Sequence, residues 1–508
     1  MFKKNYKNST ILSKNMYLPL DASYTNNNVM VVGASGRGKT RNVIEPNLMQ
    51  MNSNYVISDP KGVLIEKYGI MLLENGYKLK MLNLVDMQHS DCYNPFQYLK
   101  SQSDVFKLVD FLMANINSDN CHHADPFWNN AVKSLLSAVI FYLREECNPE
   151  DQNFTNVMKL LRYTDASEGN GDYSSVLDIL FEQLEKKYPG HVGTKQYAIF
   201  KSAGEGRTAK SILISTEVYL QHFNLEEYRK LTSIDTLCLE EVVSENTKDK
   251  FALFVIISDT DRSKNWLAGL FYSQLFDLLC EKEQRKNHIR FILDDFVCTG
   301  KIPDFDYKMA MIRSRNLSCM IVIQDEAQLE KEYEKAAKGI ITNCDSYIFL
   351  GASNIEACND VSKRLARKRI TGAYIRNMGI GFCVVICGNK GGIYKKYCLE
   401  HHPQYKKNAG LYYDYTQDFD IRKSYSEKYN ERKLDARVDT IKKLRSSERK
   451  GNLLNGKTDE FVEKIMVPEL IEPGFTDELV KRMVVSDSIA PMFFEETKDN
   501  STDSMSEL

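Results

Sequence analysis

Gly33-Ala34-Ser35-Gly36-Arg37-Gly38-Lys39-Thr40 is a complete G-x-x-x-x-G-K-T loop, and these residue types at this spacing hold phosphate. Gly33, Gly36 and Gly38 can take backbone angles that clash for other residues, so successive amides can turn inward around a β-phosphate, assisted by a helix N-terminus. Lys39 would reach the β/γ oxygens and Thr40 would ligate Mg²⁺, which makes ATP and Mg²⁺ the expected cofactors. The apolar run Val29-Met30-Val31-Val32 leads into the loop and helix formers follow it; a bare Gly-rich surface turn is the alternative. Pro46 removes a backbone donor about two turns into that helix, which predicts a kink or an early stop.

A phosphate loop needs a magnesium-holding acid at the end of a neighbouring strand. Phe291-Ile292-Leu293-Asp294-Asp295 supplies an apolar run that ends in two carboxylates. Asp294 would hold Mg²⁺ directly or through water, and Asp295 would orient or polarise the attacking water as general base. Ordinary turn-forming aspartates at a solvated strand end are the alternative. Gln324 ends the next apolar run, where its amide could face the γ-phosphate or the water, or could equally bond a local turn. Arg313 and Arg315 precede that run; either could neutralise transition-state charge in a neighbouring subunit's site, or form a surface salt bridge.

The elements that must position these groups are visible as continuous apolar runs at Val29–Val32, Tyr55–Ser58, Lys80–Leu84, Phe251–Ser258, Arg290–Leu293, Ser318–Ile323, Ser346–Leu350 and Phe382–Cys387. Continuous hydrophobicity, as opposed to alternation, predicts strands covered on both faces, as in a parallel α/β sheet. From Pro126 to about Glu241 the pattern turns helical. The predicted organisation is one α/β nucleotide domain built from 1–118 and 242–400, an all-helical insertion at 119–241, and a charged, partly disordered C-terminal extension at 401–508. Within that extension, 421–450 holds eleven Lys/Arg against five acids, which could contact nucleic acid, acidic lipid or a partner, or form a soluble charged helix.

The 508 residues carry a net charge of −2, so no global field draws the chain to nucleic acid or anionic lipid, and any such binding must use local patches. The twelve cysteines include no C-x-x-C pair and read as reduced core thiols of a cytosolic protein. His122-His123 and His401-His402 lack cysteines at zinc spacing and read as loop histidines. The basic N-terminus has no apolar segment behind it, and no run reaches the roughly 18 apolar residues of a spanning helix.

Taken together these residues resemble the type IV secretion coupling proteins, the TraG/TraD-like ATPases of conjugation. The resemblance covers roughly Leu18 to Tyr397 and rests on Glu45-Pro46-Asn47-Leu48, Ser58-Asp59-Pro60-Lys61-Gly62, Tyr93-Asn94-Pro95-Phe96, Asp125-Pro126-Phe127-Trp128, Asp294-Asp295-Phe296 with Gly300-Lys301-Ile302-Pro303-Asp304-Phe305, Gln324 with Gln328-Leu329, and Asn343-Cys344-Asp345. It implies a RecA-like P-loop NTPase domain with an inserted all-α domain, a homo-hexamer, and ATP-driven delivery of a relaxase-DNA complex, as single-stranded DNA, to type IV secretion channel components. By motif match it assigns Gly33 to Thr40 to phosphate, Asp294 and Asp295 to the magnesium and catalytic pair, Gln324 to sensing, and Arg313 to a finger acting in trans.

Two departures bear on function. The family usually has Asp-Glu where this chain has Asp294-Asp295, and the shorter side chain withdraws the base by about one C–C bond, which would slow hydrolysis. Members also commonly carry N-terminal transmembrane helices, whereas here the motif core begins almost at once; the expectation is a cytoplasmic protein, peripheral at the inner face of the membrane through a separate membrane-anchor protein. Two other readings stay open: an FtsK/HerA-like duplex DNA translocase, and a nucleotide-gated receptor or scaffold with little hydrolysis. Lys363-Arg364-Leu365-Ala366-Arg367-Lys368-Arg369 could follow a DNA backbone or simply be a solvated helix face, as could Arg207 and Lys210.

Overall fold

A computed structural model describes residues 6–22, 25–116, 126–162, 175–204, 207–243, 250–281 and 285–417. The 421–450 basic stretch, the acidic end and His122-His123 lie outside the described residues.

The described residues form eleven strands: β1 (Ser9–Ser13), β2 (Met16–Pro19), β3 (Val29–Val32), β4 (Asn54–Pro60), β5 (Tyr77–Asn83), β6 (Lys250–Ile257), β7 (Ile289–Leu293), β8 (Leu317–Ile323), β9 (Ser346–Phe349), β10 (Phe382–Cys387) and β11 (Lys390–Lys395). Nine of them make one sheet in the order β11-β10-β9-β3-β8-β7-β4-β6-β5. The seven strands from β9 to β5 run parallel, and β10 and β11 close one side antiparallel. The eight runs predicted from continuous hydrophobicity are all strands of this sheet. β1 and β2 form a separate hairpin, and neither they nor the edge strand β11 stood out in the sequence. β11 reads Lys-Gly-Gly-Ile-Tyr-Lys, a polar edge with too few apolar residues to stand out.

Successive side chains of a strand point to opposite faces, and the sheet accordingly feeds two cores. Met30, Val32, Leu293 and Ile321 join one, with the Asn265–Cys280 helix. Val29, Val31, Ile292, Met320 and Val322 join the other, with the Val63–Glu74 helix. Because the seven strands are parallel, all their carboxyl ends lie along one edge, where open α/β sheets bind ligands. Val32 there leads into the phosphate loop, Leu293 into Asp294, and Ile323 into Gln324.

Between β5 and β6 the described residues are helical, from Gln102–Ile116 to Leu239–Val243, without a strand. The Pro126–Glu146 helix is their centre, buried from Ala131 to Leu143 apart from Lys133. This helical section is stitched to the sheet domain by polar contacts where the chain returns. The Lys80 ammonium, on β5, donates to the Leu237 carbonyl at 2.7 Å, and Asp235 accepts from the Tyr98 hydroxyl at 2.6 Å. The chain beyond β11 turns back onto the Val63–Glu74 helix, where the Tyr413 amide donates to Glu66 O at 2.8 Å. Gly69 makes room for it: a Cβ there would meet the Tyr413 ring at 2.5 Å. No helix among the described residues is long and apolar enough to cross a membrane.

The helix after the phosphate loop is short. It opens with a π-helical turn, Thr40–Ile44, and ends with Glu45–Leu48, so the early stop predicted from Pro46 is what forms. The turn is held by side chains. Asn47, fully buried, accepts from Ile11 N at 2.8 Å and donates to Ile11 O at 2.9 Å and Val43 O at 2.8 Å. Glu45 receives Lys67 at 2.8 Å and the Tyr68 hydroxyl at 2.8 Å. Replacing Asn47 by Ala orphans both backbone groups of Ile11. Asn47→Ala should therefore lose about 2–4 kcal/mol in urea unfolding, whereas a loss under about 0.5 kcal/mol, the level of an ordinary surface change, would refute this tie.

Candidate phosphate-binding and magnesium site

Within the loop, Gly36 and Gly38 take φ of +74° and +83°, the left-handed region that glycine enters without penalty. At Gly38 the space is also closed to a side chain, because a Cβ would lie 2.1 Å from the Asn42 amide oxygen. The loop is pinned to its neighbouring strands by Gly33 N to Ile323 O and Ala34 N to Gly351 O, both 3.2 Å. The Lys39 ammonium donates to Gly33 O at 3.0 Å, which keeps the cation inside the loop. These are the features of a cradle for phosphate oxygens.

Thr40 Oγ1 lies 3.3 Å from Asp294 Oδ2. The two groups come from different strands, β3 and β7, which do not pair; β8 runs between them. A hydroxyl and a carboxylate converging beside a phosphate cradle form an all-oxygen donor set suited to Mg²⁺, so the residues present fit that ion. Asp294 is buried, and burial above all, followed by the charge of Asp295, raises its pKa to about 6, against the opposing effects of Lys39 and Thr40. Its backbone is fixed too: the Ser58 hydroxyl donates to Asp294 O at 3.0 Å.

Asp295 stands next to it at φ +47°, a left-handed conformation unusual for a residue with a side chain. It is partly exposed at the carboxyl edge, where a water or substrate could reach it. Gln324 follows Ile323, the residue that pairs with Val32, and so lies between the phosphate loop and the aspartates with its side chain exposed. Ala34, Ser35 and Arg37 fill the loop's outer positions, with Ser35 exposed.

Arg313 is not brought to these groups. It sits in the Ile312–Arg315 turn before β8, at the opposite end of a seven-residue strand about 20 Å long. Arg315 bonds Cys280 O at 2.9 Å beside it. Of the Lys363–Arg369 run, Arg364 makes a two-pronged pair with Glu326 at 2.7 and 2.6 Å and Lys363 pairs with Asp360 at 2.9 Å, while Arg367, Lys368 and Arg369 are exposed.

Sequence reasoning missed three groups at this edge. Asp59 is buried and caps the Val63–Glu74 helix, accepting from Leu64 N at 3.0 Å and Ile65 N at 2.9 Å. Lys61, itself at φ +75°, pairs with Asp259 at 2.7 Å. The segment from Lys396 to Glu400 crosses back over the loop: Lys396 donates to Arg37 O at 2.7 Å, Asn42 donates to Tyr397 O at 2.9 Å, and Arg41 pairs with Glu400. The only sequence signal was the Ser58-Asp59-Pro60-Lys61-Gly62 match; nothing in the spacing marks a contact 359 residues away.

Residues 3–371 match the family described as type IV secretory system conjugative DNA transfer. The chain belongs to this family. It is 20% identical over 380 residues to the conjugal transfer protein TraG of Escherichia coli, a match that covers 69% of this chain and 56% of that protein. The chain thus spans little more than half the length of that curated relative. Among solved structures it is similar to the bacterial conjugative coupling protein TrwBdeltaN70 in complex with sulphate, with a TM-score of 0.59 and 17% identity over 77% of this chain and 89% of the other. The plasmid coupling protein TrwB in complex with ADP and Mg²⁺ gives a TM-score of 0.56 at 17% identity, over 73% and 84% of the two chains. These likenesses show the fold of this chain to be the RecA-like NTPase fold.

Burial raises the Asp59 carboxyl to about 7 from an ordinary value of 3.8, against the pull of the Leu64 and Ile65 amides. The folded chain therefore holds a proton that the unfolded chain releases, and stability present below pH 3.8 is lost as pH rises toward 7. In urea unfolding, the difference between wild type and Asp59→Asn should shift in favour of the variant across that window. A pH-independent difference would overturn the assignment.

Proposed function

We propose that this chain is the ATPase coupling protein of a conjugative type IV secretion system, binding ATP with Mg²⁺ and driving transfer of a relaxase-bound single DNA strand. The observation that carries the reading is the 3.3 Å approach of Thr40 to Asp294 beside the glycine cradle. Family membership supports the DNA-transfer role, and the ADP and Mg²⁺ bound by TrwB support the choice of ligands.

The loop amides and Lys39 take the phosphates, with the ammonium exchanging the Gly33 carbonyl for phosphate oxygens. Thr40 and Asp294 would hold Mg²⁺, which when bound neutralises charge on the transferring phosphoryl group. Asp295 accepts the proton of the attacking water, and Gln324, between cradle and aspartates, orients that water through its amide. Arg313 reaches a site only across a subunit boundary, so in this reading hydrolysis requires a homo-hexamer in which it stabilises a neighbour's transition state. In this reading the chain works at the inner face of the membrane with type IV secretion channel components, and 119–241 is its helical insertion and 401–508 its C-terminal extension.

One feature favours a second reading, a nucleotide-gated receptor with little turnover: the Asp295 side chain is one methylene shorter than the glutamate that the family resemblance leads one to expect, and its backbone is already committed to a left-handed turn. An ATPase assay over a protein concentration series, with and without single-stranded DNA, separates the two. The expected result is concentration-dependent, DNA-stimulated turnover, reduced at least about 100-fold in Lys39→Ala and Asp295→Asn. ATP binding without turnover at any concentration would sink the motor reading and leave the receptor.

A further inference from the structure

Lys396 follows β11 and is buried, with 8% of its surface exposed. Its ammonium donates to the Arg37 carbonyl at the crest of the phosphate loop, 2.7 Å away. Among the described residues no carboxylate pairs with it, and burial, the leading influence, lowers its pKa. A buried ammonium without a counter-charge costs stability. Packing alone does not account for a lysine at this position, since an unbranched apolar side chain would fill the space at lower cost.

What the ammonium does follows from peptide geometry. No cis peptide occurs among the described residues, so C=O and N–H of each peptide unit point in opposite directions. Drawing the Arg37 carbonyl toward Lys396 turns the Gly38 N–H away from it. Gly38 has no side chain to hold that peptide plane, and its φ of +83° lies where glycine moves freely. The Lys396 backbone is itself anchored. Its amide donates to Gly381 O at 2.9 Å, the preceding carbonyl accepts from Lys14 N at 3.1 Å, and the next carbonyl accepts from Asn42 at 2.9 Å.

We infer that Lys396 is a positioning residue of the phosphate site: it locks the Arg37–Gly38 peptide with its N–H facing the phosphate and polarises that donor. The inference rests on the nucleotide-binding reading above and adds to the loop a component far outside the motif. It predicts opposite effects on folding and on binding, which a purely structural lysine would not give.

The test compares wild type, Lys396→Met, Lys396→Arg and Lys39→Ala. Thermal unfolding without ligand is measured beside calorimetric titration with ATP, ADP and inorganic pyrophosphate. Lys396→Met should unfold at the wild-type temperature or above, yet bind all three ligands on the order of tenfold more weakly, the scale of one charge-assisted hydrogen bond. Lys396→Arg, which keeps a cationic donor, should recover most of that affinity. Unchanged affinity in Lys396→Met would overturn the inference, as would lowered stability in both Lys396 variants with affinity falling in step. If wild type itself shows no Lys39-dependent binding of any of the three, the nucleotide-binding reading fails and the inference falls with it, an outcome that the wild-type and Lys39→Ala titrations identify separately.

Discussion

Thr40 can face Asp294 only because β8 holds β3 and β7 at fixed parallel registers, Val32 against Ile323 and Leu293 against Ile321. The constraint is severe. A one-residue slip of a strand turns each of its side chains to the other face, which here would exchange the two cores as well as misplace the carboxylate. Burial of both faces therefore sets the geometry of the site: the free energy that keeps Val31, Ile292 and Met320 out of water also brings a hydroxyl and a carboxylate, 254 residues apart in sequence, to 3.3 Å. Neither group is placed by a local motif alone.

The motifs around the site divide by what their side chains touch. Glu45, Asn47, Ser58 and Asp59 bind lysine, tyrosine and backbone partners inside the protein, so they hold the carboxyl edge in shape and keep few atoms free for a ligand. Gln324 and Asp295 have side chains open to solvent or partly so. The support therefore serves folding whatever chemistry the site performs.

How much could be read from the sequence follows the same division. Strands buried on both faces announce themselves by unbroken runs such as Met320-Ile321-Val322-Ile323, and the loop announces itself by glycines, whose positive φ at Gly36 and Gly38 favours that residue. The hairpin of β1 and β2 is stabilised by partners remote in sequence, Asn47 on the helix and Lys395 at the sheet edge, so its own residues carry little signal. Lys396 was illegible for the same reason. Arg313 was found as a basic residue near a strand, but sequence proximity does not say which end of a strand a turn occupies, and the topology puts it at the far one.

Asn47 has one further consequence, and it is mechanical. Its amide grips Ile11 by both backbone groups and Val43 by its carbonyl, a rivet between the hairpin and the helix that issues from the glycine loop. Load on β1 reaches that helix through this side chain, which bonds Val43, three residues from Thr40, and alongside it through Gln50 and Asn52, which both donate to Ser9 O. In the motor reading proposed above, these few side chains would form a short, stiff load path between the hairpin and the phosphate loop.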